Sequence, residues 1–304
     1  MYRFDMLDNK LSIGYNLSEQ AFFDVLNLYR KSIHSVFYGP GYGFRGDKLD
    51  PVSIVHNMSQ CNTYDIPLNI LFNDISIKVK DLEYWTRLSK EQLPNVTSVT
   101  LISVEQCKFV RNTFPDLKIH LSVRIDQEVI DNMSNDLYDV VNISGVYNFN
   151  DFEMMNFYKD KKNKLVKILL NEGCIPWGSV CMNKFKNYET ARCGTTRCGS
   201  EACRAFCEDY PYMNLARVNI YNEMIPHYNK YVDIYKITSR EISSDKLKSI
   251  LDRYFKSDKT SSSYSGHQIM NYEKFLEWIP LRLKCDSQCY TCGICKKYYT
   301  QIFS

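Results

Sequence analysis

The sequence predicts an α/β fold, a TIM-type (β/α)8 barrel, from three observations. Short apolar, β-branched runs recur along the 304-residue chain with amphipathic stretches between them, as in parallel strands joined by crossover helices. Eight such runs can be counted, and eight is the number that closes this barrel. The glycine-rich stretch at 38–46 lacks the GxGxxG spacing that would favour the alternative, an open doubly wound sheet.

The predicted elements follow in chain order. The strands are 11–16, 35–40, 67–73, 98–103, 118–123, 139–144, 165–171 and 232–239. Between the first two strands, Ser18 can cap a helix in which Phe22 and Leu26 recur at helical spacing. Further connecting helices are predicted at 104–112 and 151–161.

Two cysteine-rich segments break the strand and helix pattern. We expect a barrel over 1–257 that includes a cysteine-rich insertion at 174–212. A linker and helix at 258–278 then lead to a cysteine-rich, metal-binding tail at 279–304.

Composition limits the compartment and the partners. Hydrophobic residues make up 44% and charged residues 24% of the chain, as in ordinary globular proteins. The net charge of +3 gives no strong basic field of the kind that draws proteins onto nucleic acid. The start of the chain lacks an apolar secretory signal, and no apolar run reaches the roughly 18 residues of a membrane helix. We therefore expect a cytoplasmic protein with no membrane partner, in which the twelve cysteines are metal ligands or catalytic thiols rather than disulfides.

The tail motif is the strongest chemical signal. It reads Cys285-x3-Cys289-x2-Cys292-x2-Cys295. Thiolates select zinc, copper(I) or iron–sulfur clusters, and structural zinc usually uses two well-separated CxxC pairs. Ligands this closely spaced favour a [4Fe-4S] cluster, with zinc as the alternative. The first three thiols also match the radical-SAM triplet, but no glycine-rich SAM segment accompanies them.

The insertion supplies further predicted metal ligands. They are Cys174, Cys181, Cys198, Cys203 and Cys207. Cys174 lies three residues past the seventh predicted strand, and TIM-type barrels carry their chemistry at the carboxyl ends of strands. One or two clusters are therefore expected, and the alternative is an insertion stapled by zinc without catalysis.

Three stretches of the sequence resemble the U32 peptidase-like family. The stretch LLNEGC at 169–174 resembles the family's strand-end cysteine, and Cys174-x6-Cys181-x16-Cys198 matches the ligand spacing of members that hold a [4Fe-4S] cluster. The stretches YKITSRE at 235–241 and NTFPDLKIHLSV at 112–123 resemble two of its strands. The family's fourth cysteine falls where this chain has Ile237, so Cys203, Cys207 or a tail cysteine would have to replace it.

The resemblance implies an iron–sulfur barrel but does not select a substrate. Some members are collagenase-like peptidases, and others resemble oxygen-independent hydroxylases acting on ubiquinone precursors or RNA bases.

Arg124, Glu172 and Arg240 are the candidate catalytic residues, because each follows a predicted strand. Arginine binds a carboxylate or phosphate through two hydrogen bonds, which suits an anionic substrate, although a salt bridge or a loop hydrogen bond is the commoner role of such residues at strand ends. His120, midway along the fifth predicted strand, is a base, a ligand or a hydrogen-bonded core histidine. The five lysines within 158–167 either contact phosphate or form a solvated helix end.

These features favour an iron–sulfur enzyme that carries out a redox modification or oxygen-independent hydroxylation. Its substrate would be anionic, an RNA base or a small aromatic metabolite, and an electron donor or partner subunit would supply electrons. One alternative is a zinc-stapled barrel that binds nucleic acid or protein. Another is a U32-like peptidase, although no GxSxG elbow or HExxH motif is present.

Overall fold

Eight parallel strands close into a barrel in the computed structural model of the protein. The strands are Leu11–Gly14 (β1), Ile33–Tyr38 (β2), Leu68–Leu71 (β3), Val96–Leu101 (β4), Lys118–Leu121 (β5), Val140–Ile143 (β6), Leu165–Leu169 (β7) and Ile234–Ile237 (β8). Each strand pairs with the next, and β8 pairs with β1. The predicted TIM-type (β/α)8 barrel is therefore confirmed. The structure describes residues 7–15, 20–39, 55–56, 58–72, 77–123, 125, 127–143, 150–171, 210–216, 219–237, 243–255, 269–286 and 291–303.

Every predicted strand overlaps an observed one, and the differences lie at the ends. One of them is in β2, which begins at Ile33 rather than at residue 35. Leu11 pairs with Ile33 while Ser12 pairs with Ser35, so His34 is an extra residue in the register. Such an irregularity interrupts the alternation that marks a strand in sequence.

Helices connect the strands and surround the barrel. They are Gln20–Leu28 (α1), Val79–Gln92 (α2), Val104–Thr113 (α3), Gln127–Asp131 (α4), Phe152–Asn156 (α5), Met213–Ala216 (α6), Ile225–Tyr228 (α7), Ser244–Phe255 (α8), Tyr272–Leu283 (α9) and Ile294–Phe303 (α10). The Ser103 side chain caps α3 and the Asp151 side chain caps α5, each accepting a backbone N–H of the first turn. These helices confirm the two predicted connectors at 104–112 and 151–161, although the second ends in a π-helical turn. The predicted capping residue Ser18 lies outside the described residues.

Two carboxylates hold the amino-terminal side of the barrel together. Asp139, just before β6, accepts the backbone N–H of Ile119 at 2.7 Å. Asp233, just before β8, accepts that of Val166 at 2.9 Å. In both cases the carboxylate fixes the start of a neighbouring strand, a structural role that suits this end of the barrel.

The strands present unusually many polar side chains to the barrel lumen. Buried polar residues alternate along the strands with residues of the core beneath the helices. These polar residues are Ser12, Ser35, Asn69, Ser98, Thr100, His120, Asn142, Lys167 and Lys236. The amide of Asn69 donates to Ser98 Oγ at 2.8 Å and accepts from Thr100 Oγ1 at 2.7 Å. Branched apolar residues usually fill this space in TIM-type barrels, so the polar lumen departs from the usual barrel core.

The carboxyl-terminal helices pack against chain segments that follow β6 and β7. Tyr221 makes edge contacts with Phe275 and Trp278 of α9, with ring centroids 5.1 and 5.7 Å apart. The amide of Asn150, which follows β6, donates to the Arg282 carbonyl at 2.6 Å. These contacts attach the tail to the side of the barrel where strands end. The domain division at 257 and 278 stays a prediction, and the insertion lies almost wholly outside the described residues.

Among the helices that the structure describes, none has the length and apolar character needed to cross a membrane.

Candidate functional site

Three of the four tail cysteines line one cavity. Cys285 follows α9, Cys292 precedes α10, and Cys295 lies in its first turn, so the connection between the two helices brings the thiols together. Cys285 and Cys295 are partly buried, and Cys292 is exposed. The fourth predicted ligand, Cys289, lies outside the described residues.

A buried arginine stands beside the thiols. Arg282 is 1% exposed, and its Nη1 donates to Cys285 Sγ at 3.0 Å. Its carbonyl accepts the Asn150 amide, and Asn150 in turn accepts the Tyr228 hydroxyl. A guanidinium held in this way favours the negative charge of a thiolate or of a thiolate-bound metal centre.

Burial and charge act in opposite directions on Cys295. Burial raises the pKa of this thiol, while the charge of Arg282 and the indole N–H of Trp278 lower it. Gly293 makes the turn into α10 with φ +64°, a conformation that a side chain would strain. The glycine thus allows Cys292 and Cys295 to approach the same cavity.

The cavity also touches the segment that follows the insertion. Tyr212 and Met213 line it together with Lys296. At the barrel, Asn171 and Asn219 form an antiparallel bridge directly after β7, so the insertion leaves and rejoins the barrel at the same point. The remaining predicted ligands and catalytic residues lie outside the described residues, namely Cys174, Cys181, Cys198, Cys203, Cys207, Arg124, Glu172 and Arg240.

The donor chemistry of the cavity fits a thiolate-bound metal, but the described atoms do not form a complete site. Within the described part of the chain, no group of three or more His, Cys, Asp and Glu side chains is placed to hold a metal ion. Three thiols line the same cavity but are not close enough together to bind one metal ion, and Cys289 lies between Cys285 and Cys292 in the sequence. The residues present are thus compatible with an iron–sulfur cluster or with zinc.

Cys61 and Cys107 are separate from this group. Both are buried at 0% exposure, and burial raises the pKa of each thiol to about 12. They are packing residues, as their isolated positions in the sequence suggest.

Sequence reasoning missed a second polar group, inside the barrel. Lys167 on β7 is 1% exposed and donates to Ser12 Oγ at 3.0 Å. It belongs to the lysine-rich run 158–167, for which the sequence predicts either contact with phosphate or a solvated helix end. Both predictions are wrong for Lys167, because this residue is buried within a strand. The sequence does contain an indication of this burial, because Lys167 stands in the middle of an apolar strand. Lys236 has the same position in β8.

Comparisons with known proteins identify no family. No protein-family model matches the chain, and no curated protein matches it significantly. Two structures of the tryptophan synthase alpha-subunit from the hyperthermophile Pyrococcus furiosus, one of them a mutant, align over 84% of this chain and 99% of theirs. Their identities are 8% and 10%, with TM-scores of 0.47. A psychrophilic glycoside hydrolase family 10 endo-β-1,4-xylanase aligns over 75% of this chain and 85% of its own, at 10% identity and a TM-score of 0.31. At these values the similarity carries no information about activity.

Proposed function

We propose that the protein is an iron–sulfur enzyme, with cysteines of the insertion and the tail as cluster ligands. The observation that carries the proposal is the cavity shared by Cys285, Cys292 and Cys295. Tyr212 and Met213 line the same cavity and follow Cys207 closely in the sequence, which supports one site shared by the end of the insertion and the tail.

The ligand spacing favours iron–sulfur over zinc. Four tail thiols fall within eleven residues, whereas structural zinc usually uses two separated pairs. The spacing Cys174-x6-Cys181-x16-Cys198, which resembles the U32 peptidase-like family, gives a second set of thiols. A [4Fe-4S] cluster bound by four thiolates is anionic, and the buried Arg282 offsets that charge.

The contacts of the tail support a cluster near the carboxyl-terminal mouth of the barrel. Asn150 follows β6, and Tyr221 and Glu223 follow β7, and each contacts α9. TIM-type enzymes carry their chemistry at this mouth. Arg124, Glu172 and Arg240 follow β5, β7 and β8 in the sequence, which suits binding of an anionic substrate at the same edge.

The proposed reaction is a redox modification or an oxygen-independent hydroxylation of an anionic substrate, an RNA base or a small aromatic metabolite. When bound, the cluster would pass single electrons between a donor or partner subunit and the site. The chain's own contribution is to hold the ligands: Arg282 fixes Cys285, and Asn150 and Tyr228 fix the backbone that carries both.

Metal analysis of cysteine variants tests the proposal. Protein purified without oxygen should contain iron and acid-labile sulfide in equal amounts, about four or eight atoms per chain. Cys285→Ser and Cys295→Ser should each lower both by about half or more, because serine oxygen replaces a soft ligand with a hard one.

Cys107→Ala is the matched control, since Cys107 is buried elsewhere, and it should retain the wild-type metal content. Stoichiometric zinc without sulfide would instead support the zinc-stapled binding module. Cleavage of peptides by the metal-replete protein would support the peptidase.

A further inference from the structure

Two buried N–H donors of α9 lie beside sulfur atoms of the cavity shared by Cys285, Cys292 and Cys295. Arg282 is 1% exposed, and its Nη1 donates to Cys285 Sγ at 3.0 Å. Trp278 is 0% exposed, and its indole N–H acts on the Cys295 thiol. The two side chains are four residues apart, so they lie on the same face of α9. This helix therefore brings one donor to each of two thiols.

The indole N–H is not satisfied by a thiol. Within the part of the chain described, Trp278 Nε1 is buried and forms no hydrogen bond of normal geometry. A buried donor without a partner costs free energy, and the sulfur of a thiol is only a weak acceptor. A sulfur that carries negative charge is a stronger one. The unpaired N–H therefore points to a sulfur at Cys295 that is more negative than a free thiol.

Packing holds both donors in place. The Trp278 ring contacts those of Tyr221 and Phe275, with centroids 5.7 and 5.8 Å away. The backbone of Arg282 is held by the amide of Asn150, which donates to its carbonyl. Donors that are fixed before charge develops stabilise that charge without the cost of reorientation.

The positive charge of Arg282 is the one that acts most strongly on the cavity. Lys296 also lines the cavity, but Lys296 is exposed, so water and salt screen its charge. Arg282 is buried beside Cys285, where screening is weaker.

We propose that Trp278 and Arg282 are positioning residues that raise the reduction potential of the cluster by donating hydrogen bonds to its sulfur ligands. This inference rests on the proposed function, because it concerns the same thiolates. Uptake of one electron makes the centre more negative by one charge, while the donor is oxidised and the N–H protons stay on nitrogen. N–H dipoles and a cation stabilise the reduced form more than the oxidised form. The electron donor can therefore be a weaker reductant than the cluster would need without these two groups.

A redox titration of the anaerobically purified, metal-containing protein tests this inference. Dithionite is the reductant, electron paramagnetic resonance follows the reduced cluster, and the signal that Cys285→Ser removes identifies the tail cluster. Trp278→Phe keeps an aromatic ring and removes the N–H. The equilibrium constant for reduction should fall about tenfold, because a hydrogen bond to a charged acceptor is about twice as strong as one to a neutral acceptor. For a one-electron couple this is a potential lower by about 59 mV.

Trp85→Phe is the matched control. Trp85 is 2% exposed and lies on α2, which follows β3 on a different side of the barrel, so this change should leave the potential unchanged. Arg282→Gln removes the charge and Arg282→Lys keeps it. The glutamine variant should therefore lower the potential more than the lysine variant does, whereas a purely structural role for Arg282 would not separate the two by charge.

A measurement that leaves Trp278 intact keeps the inference testable if Trp278→Phe fails to fold. Trp177→Phe leaves Trp85 and Trp278 as the two tryptophans of the chain. When this protein is produced with tryptophan labelled with ¹⁵N in the indole and then reduced, electron–nuclear double resonance should show a ¹⁵N coupling to the paramagnetic cluster.

The failure of this inference can be told apart from the failure of the proposed function. Wild-type iron content with an unchanged potential in Trp278→Phe, or a reduced cluster without the ¹⁵N coupling, would overturn the inference and leave the iron–sulfur proposal standing. Equal potentials in wild type and both Arg282 variants would overturn its arginine part. Protein that contains zinc and no iron would overturn both proposals.

Discussion

Replacing Lys167 by methionine should change how the stability of the protein depends on pH. The pKa of Lys167 falls from 10.5 in the unfolded chain to about 7 in the fold. The unfolded chain therefore binds its proton more tightly, and the cost of burying this lysine is absent above pH 10.5 and complete below pH 7. At roughly 1.4 kcal/mol per pKa unit, the full cost is about 5 kcal/mol, of which about 2 kcal/mol develops between pH 9 and pH 7.

Methionine has a similar length and no charge, so Lys167→Met should not carry this cost. Urea unfolding of both proteins at pH 7, 8 and 9, followed by far-ultraviolet circular dichroism, measures the difference in unfolding free energy. The variant should lose about 2 kcal/mol of stability relative to wild type as the pH rises from 7 to 9.

Taking the difference cancels the titration of groups that do not interact with Lys167, and the two histidines whose pKa its charge lowers, His34 and His120, are neutral in the fold at pH 7 to 9. Lys274→Met, at an exposed site, should show a difference that is constant over this range. A constant difference for Lys167→Met as well would refute the reasoning, because it would mean that Lys167 is fully protonated in the fold and has a counter-charge.

Three further substitutions test the framework. Burial lowers the pKa of His34 to about 4, so this histidine makes the fold less stable as the pH falls from 6.5 to 4. His34→Gln should therefore reduce the loss of unfolding free energy over this pH range, measured by urea unfolding, by about 2 kcal/mol after allowance for partial exposure. Asp233→Ala leaves the Val166 N–H unpaired and should lower the unfolding free energy by about 2 kcal/mol. Asn150 has φ 63°, and its amide donates to the Arg282 carbonyl. Asn150→Ala removes this hydrogen bond and strains the backbone, so it should speed proteolysis of the tail. Asn150→Gly also lacks the hydrogen bond but adopts this φ without strain, so it should speed proteolysis less than Asn150→Ala does.

The barrel could be predicted from sequence because its signal is local and repeated. Each strand is an apolar run long enough to be recognised by itself, and the connectors at α3 and α5 carry capping residues. The end of β2 that was missed includes His34, an extra residue whose place depends on pairing with β1. An extra residue of this kind is defined by the pairing of two strands, so it cannot be predicted from the sequence of one strand alone.

The candidate site was predictable only in part, for a physical reason. The tail thiols are close in sequence, so their convergence at one cavity follows from a short connection between two helices. Arg282 and Asn150 contribute through long-range contacts that no spacing reveals. Lys167 was hidden because it ends a lysine-rich run, and only barrel closure, which leaves β8 alone between β7 and β1, shows that its amine reaches Ser12.

Iron and acid-labile sulfide per chain, measured on protein purified without oxygen, test the central claim most directly. Thiolate ligands from the two cysteine-rich segments should hold about four or eight irons with equal sulfide, and reduction should produce a paramagnetic signal. Colourless protein with tetrahedral zinc, or with the tail cysteines paired as disulfides, would contradict the account.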